Sequence, residues 1–292
     1  MISELISYPV KGCAGVSPSE TVVTDAGLAH DRSFMVVDDD GTFRSQRRDP
    51  RLALIRPGID TAGERLTLSA PAIEDLRLAV DLDAPRQEVR LFGRGYRGID
   101  QGEEAAAWLS SVLGAPSRLV RVPPEHDRVT GGRTPGTCGY ADSGSVHAIS
   151  RATLDELNRR RHGPPIPMSR FRPNLVIDGW DEPHREDRAH RVVAGAAELA
   201  YAQLAIRCAV TLVDQESGAK AGPEPLRTLA TYRRAATGGV AFGVKFSVLR
   251  PGVIAVGDAL TVVAWTGSEL DAARKSQVYS CDSLERLSSE AR

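Results

Sequence analysis

The chain of 292 residues holds only four cysteines, Cys13, Cys138, Cys208 and Cys281, and no two of them form a C-x-x-C pair. That spacing argues against a zinc knuckle or a dithiol redox motif, and a reducing cytoplasm is the expected location. No run of about 18 apolar residues occurs, so no membrane span is expected. The opening "MISELISYPVKG" is too short and too polar for a signal peptide. Net charge is equally scarce. With 37 basic against 38 acidic residues, no global field draws the protein onto nucleic acid. Any anion it binds must be met by a local cluster.

Several catalytic signatures are missing as well. No G-x-S-x-G elbow is present, which argues against a Ser-His-Asp hydrolase. His184 and His190 are six apart, a spacing that does not put two imidazoles on one helical face. Gly93 to Gly98, "GRGYRG", fits G-x-G-x-x-G, but "IDQG" intervenes before a helix begins. No acid stands about 20 residues further on to hold a ribose, so a glycine-rich hairpin is expected there.

What is present is the composition of a folded protein, 41% hydrophobic and 26% charged. Alternating runs "SETVVTDAGL" and "RSFMVVDDDGTFRSQR" read as strands, the second bent into a hairpin at Asp40-Gly41. "RLALIRP", "RLTLSA", "LRLAVDL" and "EVRLFG" continue the rhythm, which predicts a barrel or sandwich rather than a doubly wound parallel sheet. Helices are predicted over 102–113, ended by Gly114, over Arg151 to about Arg161, capped by Ser150, and over "PEPLRTLATYRRA". Residues 123–144, rich in proline and glycine, are too long for an ordinary connection and read as a functional loop or a linker. The fold class is mostly β (α+β). Two mostly-β domains are expected, 1–122 and 123–265, followed by a polar tail, 266–292.

A set of basic and small polar residues stands at predicted element ends. Lys11 ends the first strand, Arg32 precedes another, Arg172 and Asn174 begin a third, and Arg207 adjoins Cys208. Arginine offers a rigid fork for phosphate or carboxylate, so convergence of these groups would make an anion site. Cys208 reads as lying within a strand, where Arg207 would point to the opposite face.

The blocks "YPVKGCAG", "HDRSFMVVDDDGTFRSQRRDPRLALI", "SRFRPNLVIDG", "RCAVTLVDQESG", "PLRTLATYRR" and "FGVKFSVLRPGVIAVGD" resemble the MOSC family, in order and to about Trp265. The branch resembled carries an N-terminal MOSC β-barrel domain and includes the mitochondrial amidoxime reducing component. The resemblance implies a molybdenum-molybdopterin cofactor with Cys208 as the metal ligand and catalytic residue, a soft thiolate suiting such a metal. It implies that Lys11, Arg32, Ser143, Arg172, Asn174 and Arg207 bind that cofactor.

By the same resemblance, the expected activity is reduction of small N-hydroxylated compounds such as amidoximes and hydroxylamines. Asp142 and His147 are candidates for a proton donor, with neither assigned. Beyond Trp265 the only cysteine is Cys281, too few for an iron-sulfur cluster, so electrons are expected from a separate reductase or ferredoxin. A cofactor carrier, a sulfur-transfer protein using Cys208 without a pyridoxal phosphate domain, and a biosynthetic enzyme with altered chemistry are the alternatives. Gly12, Gly144 and Ala189 depart from residues common in the family.

Overall fold

The computed structural model describes residues 1–271. Cys281 and most of the expected tail, 272–292, lie outside the described residues. Within them the chain is mostly β with three α-helices, as expected. A seven-stranded sheet runs in the order Ile2–Leu5, Leu175–Ile177, Val146–Ser150, Val240–Arg250, Ala197–Arg207, Ala189–Ala194, Leu260–Trp265. A five-stranded sheet runs Val10–Lys11, Phe34–Val37, Arg118–Arg121, Arg94–Asp100, Arg86–Leu91. Pairing is antiparallel except for Val146–Ser150 with Leu175–Ile177 and Val10–Lys11 with Phe34–Val37. No doubly wound parallel sheet is built.

Hydrogen bonding crosses the expected boundary near residue 122. Ile2–Leu5 pairs with Leu175–Ile177, and Glu20–Thr24 pairs with Gly252–Ala255. The first strands of the chain therefore complete sheets of the second half. One core gathers Ile2, Leu5, Val146, Leu175, Tyr201, Val244 and Phe246, and another gathers Phe34, Val36, Leu52, Ile55, Leu66, Leu109 and Leu119.

Local signals place the helices. Helix α1 (Glu103–Leu113) ends at Gly114, which adopts φ 69° and returns an N–H to Ser110 O. Helix α2 (Arg151–Arg160) is capped by the Ser150 hydroxyl, which accepts from Thr153 N. Helix α3 (Leu226–Tyr232) is shorter than expected, because Pro223 and Pro225 supply no N–H to the segment before it. The "GRGYRG" stretch begins in a hairpin turn, Phe92-Gly93, both at positive φ, and continues from Arg94 as the second strand of that hairpin.

Two strand expectations are corrected. "RLALIRP" forms a 3-10 turn, Pro50–Leu54, before the strand Arg56–Ile59 begins. Pro50 at its start has no N–H for a ladder and a φ suited to a helical turn. At Asp40-Gly41 the chain does turn, but its arms meet only in the bridge Val37 to Phe43. The second arm leaves the ladder because its side chains are bonded elsewhere: Arg44 to Asp49 and Pro116 O, Gln46 to Gly12 O. That arm then runs along the cleft described next. The 123–144 segment is ordered by a short ribbon, Val129–Thr130 with Gly136–Thr137. It also reaches the cleft.

Candidate functional site

A cleft opens where the two large sheets meet. Lys11, Arg32 and the arm Phe43 to Arg47 come from one side. Ala141 to Ser143, His147, Phe171, Arg172, Ile206 to Cys208 and Lys245 come from the other. The predicted residues Lys11, Arg32, Ser143, Arg172, Arg207 and Cys208 are thus brought together. Asn174 is not among the lining residues.

Arg32 and Arg172 share an unusual construction. Both are non-glycine residues at positive φ, 49° and 55°, a conformation that costs energy and concentrates at functional sites. Both guanidinium groups lie against the buried Tyr8 ring, 4.4 and 4.2 Å from its centroid. Burial pushes the Tyr8 hydroxyl up to about 12, so the ring is neutral. Asp31 accepts from Arg32 NH1 at 2.5 Å, from Tyr8 N at 2.8 Å and from Asn174 Nδ2 at 3.0 Å.

Asn174 spends its amide on this frame. Its Oδ1 accepts from Arg32 NH1 and His147 N, and its Nδ2 donates to Ile6 O and Asp31 Oδ1. With every bond made internally, it holds Arg32 and the strand of His147 from behind the cleft. Arg172 donates from NH1 to Gln215 Oε1, and Gln215 is paired with Gln46. Arg172 NH2 is buried with no partner among the described residues.

Lys11 forms an ion pair with Asp142 and lies 5.0 and 5.5 Å from the Phe92 and Phe43 ring centroids. Burial lowers the Lys11 pKa against the pull of Asp142. Asp142 stands at the mouth with its side chain 56% exposed. Burial of its carboxyl would raise the pKa, but Lys11, Lys245 and Arg32 outweigh it and hold the group well below the usual carboxylate range. Arg128 fixes this loop by donating to the carbonyls of Gly139, Ala141 and Asp142.

Cys208 lies at the end of a strand rather than within one. Ala197–Arg207 stops just before it, and a 3-10 turn, Ala209–Leu212, begins just after. Thr211 donates to the Cys208 carbonyl from both N and Oγ1, fixing the backbone, and the thiol is free among the described residues. The expectation that Arg207 faces away is corrected, since Arg207 and Cys208 line the same cleft. Strand alternation no longer applies once the ladder has ended. Arg207 donates from NH2 to Phe171 O at 2.7 Å, and its buried Nε has no partner among the described residues. Burial pulls the Arg207 pKa down to about 10, with Cys208 opposing the fall.

Two more lining residues complete the floor: His147, singled out as a candidate proton donor, and Lys245, which the sequence reading did not name. His147 is fully enclosed, and burial beside Lys245 and Arg207 pushes its pKa well below the ordinary value. The neutral ring with its proton on Nδ1 donates to Arg172 O at 3.3 Å, and Nε2 faces Arg207 NH1 at 3.4 Å. Lys245 sits opposite His147 in the paired strand and makes no hydrogen bond among the described residues. Burial, with Arg32 and Arg207 nearby, lowers its pKa to about 7. The one legible signal was a lysine in the middle of the apolar run "VAFGVKFSV".

The other two cysteines among the described residues, Cys13 and Cys138, do not line the cleft. Burial pushes the Cys13 thiol up to about 12 and raises that of Cys138, so both stay protonated. Among the described residues no group of three or more His, Cys, Asp or Glu is placed to hold a metal ion. A metal at Cys208 must therefore bring its remaining ligands with it. Three guanidinium nitrogens of the cleft's arginines, Arg44 Nε, Arg172 NH2 and Arg207 Nε, are buried without a partner among the described residues and call for an acceptor. An anionic group carrying a metal fits this donor set.

The comparisons with known proteins agree with these features. Residues 1–116 match the MOSC N-terminal beta barrel domain, and residues 135–261 match the MOSC domain. The chain is 35% identical over 278 residues to mitochondrial amidoxime-reducing component 1 of Mus musculus, covering 88% of this chain and 80% of that one. It is 34% identical over 283 residues to mitochondrial amidoxime reducing component 2 of Rattus norvegicus, covering 88% and 81%. Molybdenum cofactor sulfurase of Danio rerio is 31% identical over 264 residues, which cover 83% of this chain but 31% of that protein. Six sequence blocks in order, a cleft lined by seven of their basic residues and a cysteine, and matches over most of the length lead to one conclusion: the chain belongs to the MOSC family, in the branch with an N-terminal MOSC β-barrel domain.

Proposed function

We propose that the protein binds the molybdenum-molybdopterin cofactor in this cleft and reduces small N-hydroxylated compounds with electrons from a separate reductase or ferredoxin. The observation that carries the reading is the meeting in one cleft of a free thiol, Cys208, with buried N–H groups on Arg172 and Arg207 that have no partner among the described residues. The names of the relatives supply the reaction class. The chemistry the cofactor supplies when bound is two-electron removal of oxygen from an N–O bond. Cys208 offers the thiolate for the metal. Arg32 and Arg172, braced on Tyr8 by strained backbone, offer their guanidinium groups to the phosphate. Ser143 offers a hydroxyl from the loop held by Arg128.

The reaction consumes two electrons and two protons and releases water. Asp142 is held ionised by Lys11, and His147 is held neutral. Neither carries a proton to give near neutrality. The protons are drawn from water at the mouth beside Asp142.

The match to a cofactor sulfurase favours a second reading, in which Cys208 carries cofactor or sulfur without turnover. Metal and pterin content of protein made in a cofactor-competent host, compared with Cys208→Ala, is the first test. Near-stoichiometric metal that is lost in the variant supports the site, and absence of both from the wild type overturns it. Turnover of benzamidoxime with reduced methyl viologen then separates reductase from carrier.

A further inference from the structure

Arg172 is aimed by an amide rather than by a carboxylate. Three other cations of the cleft are paired with acids: Lys11 with Asp142, Arg32 with Asp31 and Arg44 with Asp49. Arg172 makes no ion pair among the described residues. Asp31 acts on it through space, but the oxygens of Asp31 are bonded to Arg32, Tyr8 N and Asn174. The one side-chain hydrogen bond of Arg172 among the described residues runs from NH1 to Gln215 Oε1 at 3.1 Å. Gln215 does not line the cleft, so it reaches a ligand there only through Arg172.

A chain of bonds fixes the direction of that amide. Gln46 is 1% exposed and donates from Nε2 to Gly12 O at 2.6 Å and to Gln215 Oε1 at 3.0 Å. Gln215 donates from Nε2 to Val213 O at 3.0 Å and back to Gln46 Oε1 at 2.9 Å. An amide nitrogen only donates and an amide oxygen only accepts. The backbone carbonyls of Gly12 and Val213 therefore set both amides, and Gln215 is left with its oxygen toward Arg172. Turning either amide over would set oxygen against oxygen and N–H against N–H. The pair joins segments far apart in the chain: the arm Phe43 to Arg47, the loop that leaves Cys208 by the turn Ala209–Leu212, and Arg172 ahead of the strand Leu175–Ile177. Support of this kind, from side chains that are themselves fully bonded, holds a functional group in one orientation.

An amide and a carboxylate differ here in one respect. A hydrogen bond with an ionised partner on each side is shorter and stronger than one to a neutral acceptor, and a carboxylate in place of Gln215 would neutralise Arg172 inside the protein. The neutral amide orients the guanidinium and leaves its charge, with the unpartnered NH2, to an anion in the cleft. We propose that Gln215, held in turn by Gln46, is a positioning residue that presents Arg172 to the cofactor's phosphate with its charge uncompensated. The inference rests on the reading above in that Arg172 meets that phosphate.

The test is calorimetric titration of the cofactor-free protein with inorganic pyrophosphate, a probe that carries phosphate without metal or pterin. Gln215→Glu is expected to bind it about tenfold more weakly than wild type, and Gln215→Leu about threefold. In an Arg172→Met background the step Gln215→Glu should change affinity by less than about twofold, because the cation it would neutralise is gone. Gln46→Met, which releases Gln215 without adding charge, should weaken binding about threefold and also lose its effect beside Arg172→Met. A merely structural role would carry the same losses into that background, and the Gln46→Met comparison decides the matter should Gln215→Glu fail to fold. No binding by the wild type, wild-type affinity in Gln215→Glu, equal losses in Gln215→Glu and Gln215→Leu, or losses that persist without Arg172 each overturn the clamp. The expected pattern in a chain that takes up no molybdenum or pterin in a cofactor-competent host upholds the clamp and refutes the cofactor reading. Uptake of both with any of the overturning results refutes the clamp alone.

Discussion

The stem of Lys245 occupies the space that a side chain on Gly144 would need, with 2.8 Å between Lys245 Cβ and the position of the missing atom. Gly144 also adopts φ 69°. Gly144→Ser therefore adds a clash to left-handed strain, and a loss of about 1–3 kcal/mol is expected. Urea unfolding measures it. A midpoint equal to wild type would mean that the 141–144 loop moves aside without cost.

Asp31 is the acceptor on which the buried frame converges, bonded to Arg32, Tyr8 N and Asn174. Asp31→Asn leaves the Arg32 guanidinium uncompensated in a dry environment. Removing one partner of a buried pair costs about 3–5 kcal/mol, and cofactor content should fall with the stability. A variant within about 1 kcal/mol of wild type would show that Arg32 finds another partner.

Arg172 should behave in the opposite way. It has no carboxylate partner, one nitrogen without a bond, and a pKa lowered by burial. Arg172→Met keeps the contact with Tyr8 and removes a desolvated charge, so the cofactor-free protein should be at least as stable as wild type. Cofactor occupancy should drop. Full occupancy in the variant would remove Arg172 from the cofactor site.

Lys245 sets a pH dependence whose sign follows from its pKa of about 7 in the folded protein against 10.5 ordinarily. Between these values the unfolded chain holds a proton that the folded chain has released. Stability rises with pH wherever the unfolded state binds more protons. This group's contribution to the cofactor-free protein is thus lowest below pH 7 and increases toward pH 10.5. Thermal unfolding of wild type and Lys245→Met at pH 7 and pH 9 tests it. Identical shifts in the two proteins would show that Lys245 does not titrate in this window.

Much of the fold was legible because its signals are local. Ser150 caps α2 and Gly114 ends α1 through contacts within a few residues. The exchange of a strand for the 3-10 turn Pro50–Leu54 was missed because "RLALIRP" is apolar enough for either, and proline decided between them. The facing of Arg207 was missed because alternation assumes a continuing ladder, and the ladder ends at that residue. Asn174 was legible as a polar residue at a strand start. Its service to Arg32 was not, because His147, Asp31 and Ile6 all come from elsewhere in the chain.

The sequence by itself determined most of the element types, the basic residues at their ends, and, through six ordered blocks, the family. Tertiary structure alone decided that Lys11 and Arg32 stand in one cleft with Arg172, Arg207, Cys208 and Lys245. That meeting depends on non-local pairings, Ile2–Leu5 with Leu175–Ile177 and Glu20–Thr24 with Gly252–Ala255. Such pairings form only when burial of distant apolar faces outweighs the entropy of closing a long loop. No periodicity within a short window carries that information.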